Sequence, residues 1–223
     1  MARAAAFFDM DRTVLRVDTG ILWMRFLRRR GEISRLTMLR AVGWALRYKL
    51  AVIDLHELSR RLVAPLAGTS EAELLAKAAL FYVEHVAPHV AARARDRIAA
   101  HRSRGDRVAL LTASTRYVAE PLAAALGLDG TICSRLEVED GRFTGRVDPP
   151  LCFGAGKIAR AERWAEAEGI DLSASTFYTD SYNDLPMLER VGRPVAVNPD
   201  GRLARLARRR GWPIEIWDVP VEA

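Results

Sequence analysis

Short apolar segments alternate with amphipathic ones after Pro88, and this alternation most strongly constrains the fold. Strands are predicted at 107–111, 130–134, 175–179, 194–197 and 213–216. Helices are predicted at 90–104, at 115–126, after Gly156, from about 183 and at 200–210. Strands separated by helices favour a parallel sheet covered on both faces. We therefore predict an α/β fold with a Rossmann-like, doubly wound parallel sheet.

The first part of the chain has a different pattern. Residues 3–8 form a short apolar run typical of a strand, whereas 19–86 has helical periodicity throughout and predicts roughly four helices. We expect an all-helical cap of residues 18–87, inserted into an α/β core of residues 1–17 and 88–217. Within the core, 136–147 is predicted to be a small β-hairpin flap turned at Asp-Gly. The last residues, 218–223, are expected to fray.

Composition limits the compartment and the partners. The chain has 223 residues, half of them apolar, which suits one large domain with an insertion. It has no signal-peptide pattern, no apolar run of transmembrane length, and two cysteines, Cys133 and Cys152, without metal-like or disulfide spacing. We expect a cytoplasmic protein with free, buried thiols. The net charge of +6, carried mostly by arginine, suits phosphates, nucleic acid or acidic lipid and selects none of them.

Polar side chains follow several predicted strands at the point where each strand ends. They are Asp9, Asp11, Thr112, Ser114, Asp180, Asn183 and Asp184, and Lys157 lies at the start of a predicted helix. In an open parallel sheet, ligands bind at the carboxyl ends of the strands, so these residues can form one site. Four carboxylates and one ammonium require a hard divalent cation, most plausibly Mg²⁺. Such a site suits a phosphate-bearing substrate.

Four short motifs occur in a characteristic order. They are Asp9-Met10-Asp11-Arg12-Thr13, Leu110-Leu111-Thr112, Lys157, and Asp180-Ser181-Tyr182-Asn183-Asp184-Leu185-Pro186-Met187. With them, nearly the whole chain resembles a phosphohydrolase of the haloacid-dehalogenase superfamily, in the phosphoserine-phosphatase-like branch called subfamily IB. Residues 19–86 correspond to the helical cap of that branch. Each motif alone is weak, and the signal lies in their order and in their positions at strand ends.

The resemblance implies a Mg²⁺-dependent phosphatase that hydrolyses a small phosphate monoester through an aspartyl-phosphate. Asp9 resembles the nucleophile, and Asp11 resembles the general acid and base. The metal ligands implied are the carboxylates of Asp9 and Asp180 and the backbone carbonyl of Asp11. Asp184 is expected to hold metal-bound water or to orient Lys157.

The resemblance also implies which residues contact the phosphoryl group. Lys157 is expected to restrain Asp9 and to neutralise phosphoryl charge. Thr112 and Asn183 are expected to donate hydrogen bonds to phosphoryl oxygens. Ser114 is a further candidate for substrate binding, because it belongs to the same strand end as Thr112.

Three positions leave their roles open. Arg12 stands where the family usually has a small residue, and it either contacts substrate or points outward. Asp18 matches in spacing an acidic substrate-binding residue of phosphoserine phosphatases, but it suits equally well a helix N-cap. Thr112-Ala113-Ser114-Thr115 replaces the Ser-Gly-Gly of typical phosphoserine phosphatases, which weakens the case for phosphoserine itself.

Other classes of function compete with phosphate hydrolysis. A haloacid dehalogenase shares the aspartate nucleophile but does not need a second acid two residues later, so Asp11 argues against it. Phosphotransfer to an alcohol shares every motif. A non-enzymatic, arginine-rich module for membranes or nucleic acid would need its charges on one face. We expect a small phosphorylated metabolite as partner, phosphoserine, histidinol phosphate or a relative, with no nucleic acid and no transmembrane segment; the oligomeric state cannot be read from the sequence.

Overall fold

In the part of the chain that the structure describes, seven strands form one central sheet. The structure is a computed structural model that describes residues 3–34, residue 36 and residues 63–217. The strands are β1 (Ala5–Phe8), β2 (Arg107–Thr115), β3 (Gly130–Glu139), β4 (Arg142–Asp148), β5 (Thr176–Thr179), β6 (Arg193–Val197) and β7 (Ile214–Glu215). Their order in the sheet is β4-β3-β2-β1-β5-β6-β7.

The chain adds strands to the sheet first on one side of β1 and then on the other. Strand β1 pairs in parallel with β2 on one side and with β5 on the other. The chain runs outward from β1 to β2 and β3, and after β4 it returns to β5 on the opposite side. Among the strand pairs that the structure describes, only the edge pair β3–β4 is antiparallel. The predicted doubly wound parallel sheet is confirmed, and its switch point lies at the carboxyl end of β1, where such sheets bind ligands.

Helices cover both faces of the sheet and form the described parts of the insertion. They are α1 (Thr19–Arg29), α2 (Glu71–Phe81), α3 (Ala92–Ser103), α4 (Arg116–Ala125), α5 (Ala155–Glu168), α6 (Leu185–Arg190) and α7 (Gly201–Arg210). Helix α1 and the stretch from α2 to His89 belong to the segment between β1 and β2, as predicted for a helical cap. The helices expected between 37 and 62, and the fraying of 218–223, lie outside the described residues. The domain bounds stay a prediction.

Two adjacent phenylalanines fix the central strand from both faces. Successive strand residues point to opposite sides of a sheet. Phe8 stacks on Tyr178 with ring centroids 4.6 Å apart, and Phe7 meets Trp164 on the other face at 5.6 Å. Both phenylalanines are fully buried, and each burial stabilises the fold by roughly 2–3 kcal/mol. The loop that begins at Asp9 therefore leaves a rigid strand.

The antiparallel edge of the sheet is a hairpin that contacts the insertion. Its turn residues Asp140 and Gly141 both have positive φ, 49° and 74°, as a two-residue type I′ turn requires. The backbone N–H of Gly68 donates to the carbonyl of Phe143 at 2.8 Å, and the N–H of Phe143 donates to the carbonyl of Thr69 at 3.0 Å. The hairpin is thus joined to the segment before α2. Its action as a flap stays a prediction.

Strand β2 is longer than the sequence predicted. We expected it to end at residue 111, whereas it continues to Thr115, because Thr115 pairs with Ser134 of β3 after an irregularity in the register. Thr112 and Ser114 consequently lie in this irregular strand end rather than in a free loop.

The state of the two cysteines and the hydropathy of the helices can also be compared with the sequence predictions. Cys133 and Cys152 are buried free thiols, as expected, and they belong to core clusters on opposite faces of the sheet. In the described part of the chain, no helix combines the length and the hydropathy that crossing a bilayer demands.

Candidate active site

The loop after β1 brings two carboxylates together. Asp11 (φ −71°, ψ 133°) and Arg12 (φ 57°, ψ 4°) have the backbone angles of the central residues of a type II turn. The N–H of Leu15 closes the loop by donating to the carbonyl of Met10 at 2.9 Å. Because the third position of this turn requires positive φ, a glycine is favoured there, and Arg12 adopts a strained conformation.

A buried lysine joins the first carboxylate to a third one. The ammonium of Lys157 donates to Oδ1 of Asp9 at 2.9 Å and to the carboxylate of Asp184 at 2.8 Å. The Thr179 hydroxyl also donates to Asp184, at 2.7 Å. All four residues are buried. Sequence positions far apart thus meet in one charge cluster, as the strand-end argument predicted.

Lys157 reaches this position because its helix begins against a backbone carbonyl. Gly156 precedes it in the first turn of α5, and a Cβ on Gly156 would lie 2.0 Å from the carbonyl oxygen of Leu151. Only glycine permits so close an approach. The helix start is therefore fixed, and with it the direction in which Lys157 enters the site.

Asp11 is held by neutral donors instead of the ammonium. The backbone N–H of Thr19 donates to its Oδ1 at 2.7 Å, and the Ser114 hydroxyl donates to its Oδ2 at 3.3 Å. Asp18 lies next to this pair and caps α1, since its carboxylate accepts a hydrogen bond from the N–H of Ile21 at 3.2 Å. The N-cap interpretation of Asp18 is confirmed, although the residue also lines the pocket.

The carboxylates of the site have raised pKa values. Burial raises the pKa of Asp9 to about 6, against the opposing effect of Lys157. Burial, and after it the charge of Asp18, raises the pKa of Asp11 to about 7. Burial and the charge of Asp9 raise the pKa of Asp180 well above its usual range. Burial acts to lower the pKa of Lys157, but Asp184 and Asp9 outweigh it and raise that pKa.

The loop after β5 is tied to the start of α7. The N–H of Asp200 donates to the carbonyl of Asp180 at 2.8 Å, and the Asp200 carboxylate accepts from the N–H of Tyr182 at 2.7 Å. The N–H of Asn183 donates to the Ser181 hydroxyl at 3.2 Å, which closes a short turn before α6. The backbone of this loop, and therefore the Asp180 carboxylate, is positioned by α7.

These elements surround a pocket of about 470 Å³. Most predicted site residues line it, namely Asp9, Asp11, Arg12, Asp18, Thr112, Lys157, Asp180, Asn183 and Asp184. Ser114 is not among the lining residues, since it lies behind Asp11 and donates to it. Sequence reasoning missed Phe153, Tyr182, Asp200, Gly201, Arg202 and Arg205 on the wall, and Thr19 and Thr179 as hydrogen-bond donors to the carboxylates. Thr179 could have been found from its place directly before Asp180 at a strand end.

The donor set fits a hard cation with oxygen ligands. Asp9 and Asp180 offer carboxylates to the pocket, and Asp11 can offer its backbone carbonyl. Mg²⁺ commonly takes one or two carboxylates and fills its other positions with water and phosphate oxygens. Among the described residues, no group of three His, Cys, Asp or Glu side chains is arranged to hold a metal unaided. A site of two carboxylates and a carbonyl needs no such group. Burial, and after it the charges of neighbouring carboxylates, raise the pKa values of Asp9 and Asp180, and a bound cation would favour their ionised forms.

Comparisons with known proteins agree with this architecture. Residues 6–189 match the family of haloacid dehalogenase-like hydrolases. The chain is 31% identical to a histidinol-phosphatase of Neisseria meningitidis serogroup C, over 94% of this chain and 96% of that protein. It is 36% identical to phosphoserine phosphatase SerB1 of Mycobacterium tuberculosis, over 99% of this chain and 73% of the relative.

A solved structure is also similar over the full length. It is a protein of unknown function from Bordetella pertussis Tohama I, with a TM-score of 0.88 and 33% identity, covering 98% of this chain and 100% of that one. The chain belongs to the haloacid dehalogenase-like hydrolase family, among its phosphoserine-phosphatase-like members. It is a phosphatase. This result argues against the two competing interpretations of the sequence, a haloacid dehalogenase and a non-enzymatic, arginine-rich module.

Proposed function

We propose that the protein hydrolyses a small phosphate monoester with Mg²⁺ and with an aspartyl-phosphate formed on Asp9. One observation carries the proposal: the two carboxylates of the first loop have different partners. Asp9 is bonded to the ammonium of Lys157, whereas Asp11 is bonded to Thr19 and Ser114. A carboxylate paired with a cation stays ionised and can attack, and one held by neutral donors at a raised pKa can carry a proton.

In the first step, a carboxylate oxygen of Asp9 forms a bond to phosphorus while the bond from phosphorus to the leaving oxygen breaks. Asp11 gives its proton to that oxygen, so the alcohol leaves neutral. Asp11 is then ionised, and in the second step it takes a proton from water. The water oxygen attacks phosphorus, and the bond to Asp9 breaks, which releases phosphate and restores both carboxylates.

Lys157 and Thr112 stabilise the phosphoryl group during both steps. The Lys157 ammonium holds Asp9 in place and offsets negative charge on the phosphoryl oxygens, and Asp184 keeps that ammonium in position with both of its oxygens. Thr112 and Asn183 line the same pocket and can donate to the phosphoryl oxygens. Mg²⁺, held by Asp9, Asp180 and the carbonyl of Asp11, would supply Lewis-acid stabilisation of phosphoryl charge.

The substrate is proposed as a class rather than as one metabolite. Histidinol phosphate and phosphoserine come into consideration because relatives bear the corresponding names. Both are small phosphate monoesters of an alcohol, in agreement with a pocket of about 470 Å³. Phosphotransfer to an alcohol uses the same two steps, with the alcohol replacing water in the second.

Hydrolysis of p-nitrophenyl phosphate by the purified protein tests the proposal. We expect turnover with Mg²⁺, its loss with excess EDTA and recovery when Mg²⁺ is restored. Asp9→Asn should lower kcat by about 1000-fold or more, because the amide is a poor nucleophile. Asp96→Asn is the matched control, since Asp96 is exposed on α3 outside the pocket. Full activity of Asp9→Asn, with contaminating phosphatases removed, would contradict the mechanism.

A further inference from the structure

The lining of the pocket includes arginines that the catalytic steps do not use. Arg202 and Arg205, both on α7, line the same pocket as Asp9 and Lys157, and Arg12 lines it from the first loop. Residues three apart on a helix lie on one face, so Arg202 and Arg205 are neighbours. Three arginines therefore line the pocket that holds the reacting carboxylates.

The three arginines that line the pocket form no ion pairs with carboxylates among the described residues. Among the residues that the structure describes, Arg97, Arg107, Arg116 and Arg160 form ion pairs with carboxylates, but no such pair involves Arg12, Arg202 or Arg205. The charge of Arg12 does act on Asp180, whose pKa it lowers against stronger effects that raise it. The positive charge of α7 thus remains available to a ligand.

The carboxylate that precedes α7, Asp200, accepts hydrogen bonds from backbone N–H groups. Asp200 caps α7, where its Oδ1 accepts from the N–H groups of Arg202 and Leu203 at 2.8 and 2.9 Å. Its Oδ2 accepts from the N–H of Tyr182 at 2.7 Å. Both oxygens of Asp200 therefore accept from backbone donors, and among the described residues Asp200 forms no ion pair with a guanidinium group of α7.

The position of Arg202 is restrained by the catalytic loop. Its guanidinium carbon lies 4.2 Å from the ring centroid of Tyr182, a cation–π contact. Tyr182 belongs to the loop of Asp180, and the N–H of Asp200 donates to the carbonyl of Asp180 at 2.8 Å. Helix α7 is accordingly held in register with the residues that bind the phosphoryl group, which gives its arginines a fixed place relative to the reacting phosphorus.

We propose that Arg202 and Arg205, assisted by Arg12, bind a second anionic group carried by the leaving group of the substrate. This rests on the proposed phosphatase function and adds a substrate class to it: phosphate monoesters with a further carboxylate or phosphate. A phosphoryl group fills only part of a pocket of about 470 Å³, so the rest accommodates the leaving group. Arginine suits both anions because its planar fork matches their oxygens. Selectivity is then determined on a core helix.

The experiment compares three esters that differ at the far end. They are 3-phosphoglycerate with a carboxylate, glycerol 1,3-bisphosphate with a second phosphate, and glycerol 3-phosphate with a neutral end. We expect kcat/KM for at least one anionic ester to exceed that for glycerol 3-phosphate by about ten-fold at low salt, and the preference to shrink as salt screens the exposed arginines. Comparison of kcat/KM for the two anionic esters shows whether the subsite prefers a carboxylate or a phosphate.

Substitutions then locate the effect. Arg202→Gln and Arg205→Gln should each reduce the ratio of anionic to neutral kcat/KM by about five-fold, and the double variant should reduce it further. Arg208→Gln is the matched control, because Arg208 is exposed on the same helix but does not line the pocket. An unchanged ratio in the double variant, with its thermal unfolding midpoint preserved, would overturn the subsite.

Failure of the subsite can be separated from failure of the proposed function. Absence of p-nitrophenyl phosphate hydrolysis would contradict the phosphatase mechanism. The subsite would still be decided by calorimetric titration of the three esters into the Asp9→Asn protein and its Arg202→Gln, Arg205→Gln derivative. Tighter binding of an anionic ester that disappears in the derivative supports the subsite, and equal affinities for the three esters contradict it.

Discussion

The ammonium of Lys157 lies 2.9 Å from Asp9, and the residue is nearly as inaccessible to solvent as the core of the sheet, with 2% of its surface exposed. Burial of an ammonium is costly unless its charge is balanced. Asp184 provides the second contact at 2.8 Å, so the ion stands between two carboxylates. The two carboxylates therefore balance the buried charge of Lys157, and this balance is a condition for the local fold.

Removal of this charge should affect stability as well as rate. Lys157→Met leaves two buried carboxylates without their cation, and we expect a loss of about 3–5 kcal/mol in unfolding free energy, smaller when Mg²⁺ is present. We also expect kcat to fall by about 100-fold or more. Urea unfolding and p-nitrophenyl phosphate turnover measure the two effects. Lys77→Met is the control, because Lys77 pairs with Glu32 at the surface and should cost less than about 1 kcal/mol.

The ionised carboxylate of Asp180 should lower the free energy of unfolding of the metal-free protein. Burial and Asp9 raise its pKa, so its ionised form destabilises the folded chain at neutral pH. A raised pKa in a carboxylate gives stability at low pH that is lost as pH rises through the folded pKa. Asp180→Asn should therefore raise the unfolding temperature in EDTA, more at about pH 8 than at about pH 5. It should also abolish the stabilisation by Mg²⁺ that we expect for the unaltered protein. A lower unfolding temperature in EDTA, or a retained response to Mg²⁺, would contradict this account.

Thr179 is expected to act through Asp184. Thr179→Val keeps the side-chain shape and removes the hydroxyl that donates to Asp184 at 2.7 Å. We expect a loss of about 1–2 kcal/mol in stability and a decrease of about ten-fold in kcat with little change in KM, because Lys157 loses its fixed orientation. Thr176→Val is the control, since Thr176 is buried at the other end of the same strand. Equal effects of the two variants on kcat would leave Thr179 with a structural role only.

Arg12 combines strain with a place in the pocket. Its φ of 57° favours glycine, and Arg12→Gly should stabilise the protein by up to about 1 kcal/mol in spite of the greater entropy of the unfolded chain. If Arg12 assists in binding an anionic leaving group, the same variant should raise KM for 3-phosphoglycerate more than for glycerol 3-phosphate. Differential scanning calorimetry and steady-state kinetics measure the two effects. Lower stability of Arg12→Gly would show that the arginine side chain contributes more than its backbone strain costs.

The sequence predicted the sheet and most of the site because the argument depends on strand ends alone. Parallel strands place their carboxyl ends at one edge, so Asp9, Thr112 and Asp180 could be brought together without knowledge of any distance. The end of β2 was misplaced, since pairing of Thr115 with Ser134 is a tertiary contact that local propensity does not reveal.

The sequence did not predict that Arg202 and Arg205 line the pocket, because this too depends on a tertiary contact. The place of α7 beside the pocket follows from a backbone hydrogen bond between Asp200 and Asp180, and main-chain donors have no side-chain signature. In the sequence, Arg202 and Arg205 are two of many arginines on a basic chain, and only the fold distinguishes them from the rest. The same is true of Thr19, which contacts Asp11 through its backbone N–H.

The most direct test of the account is chemical trapping of the intermediate. Asp11→Asn should slow the second step more than the first when the leaving group is p-nitrophenolate, which departs without a proton. The phosphorylated enzyme should then accumulate, and acid quenching followed by borohydride reduction and peptide mass spectrometry locates the acyl phosphate. The account predicts that Asp9 is converted to homoserine in a Mg²⁺-dependent manner. Modification of another residue, or none during measurable turnover, would contradict it.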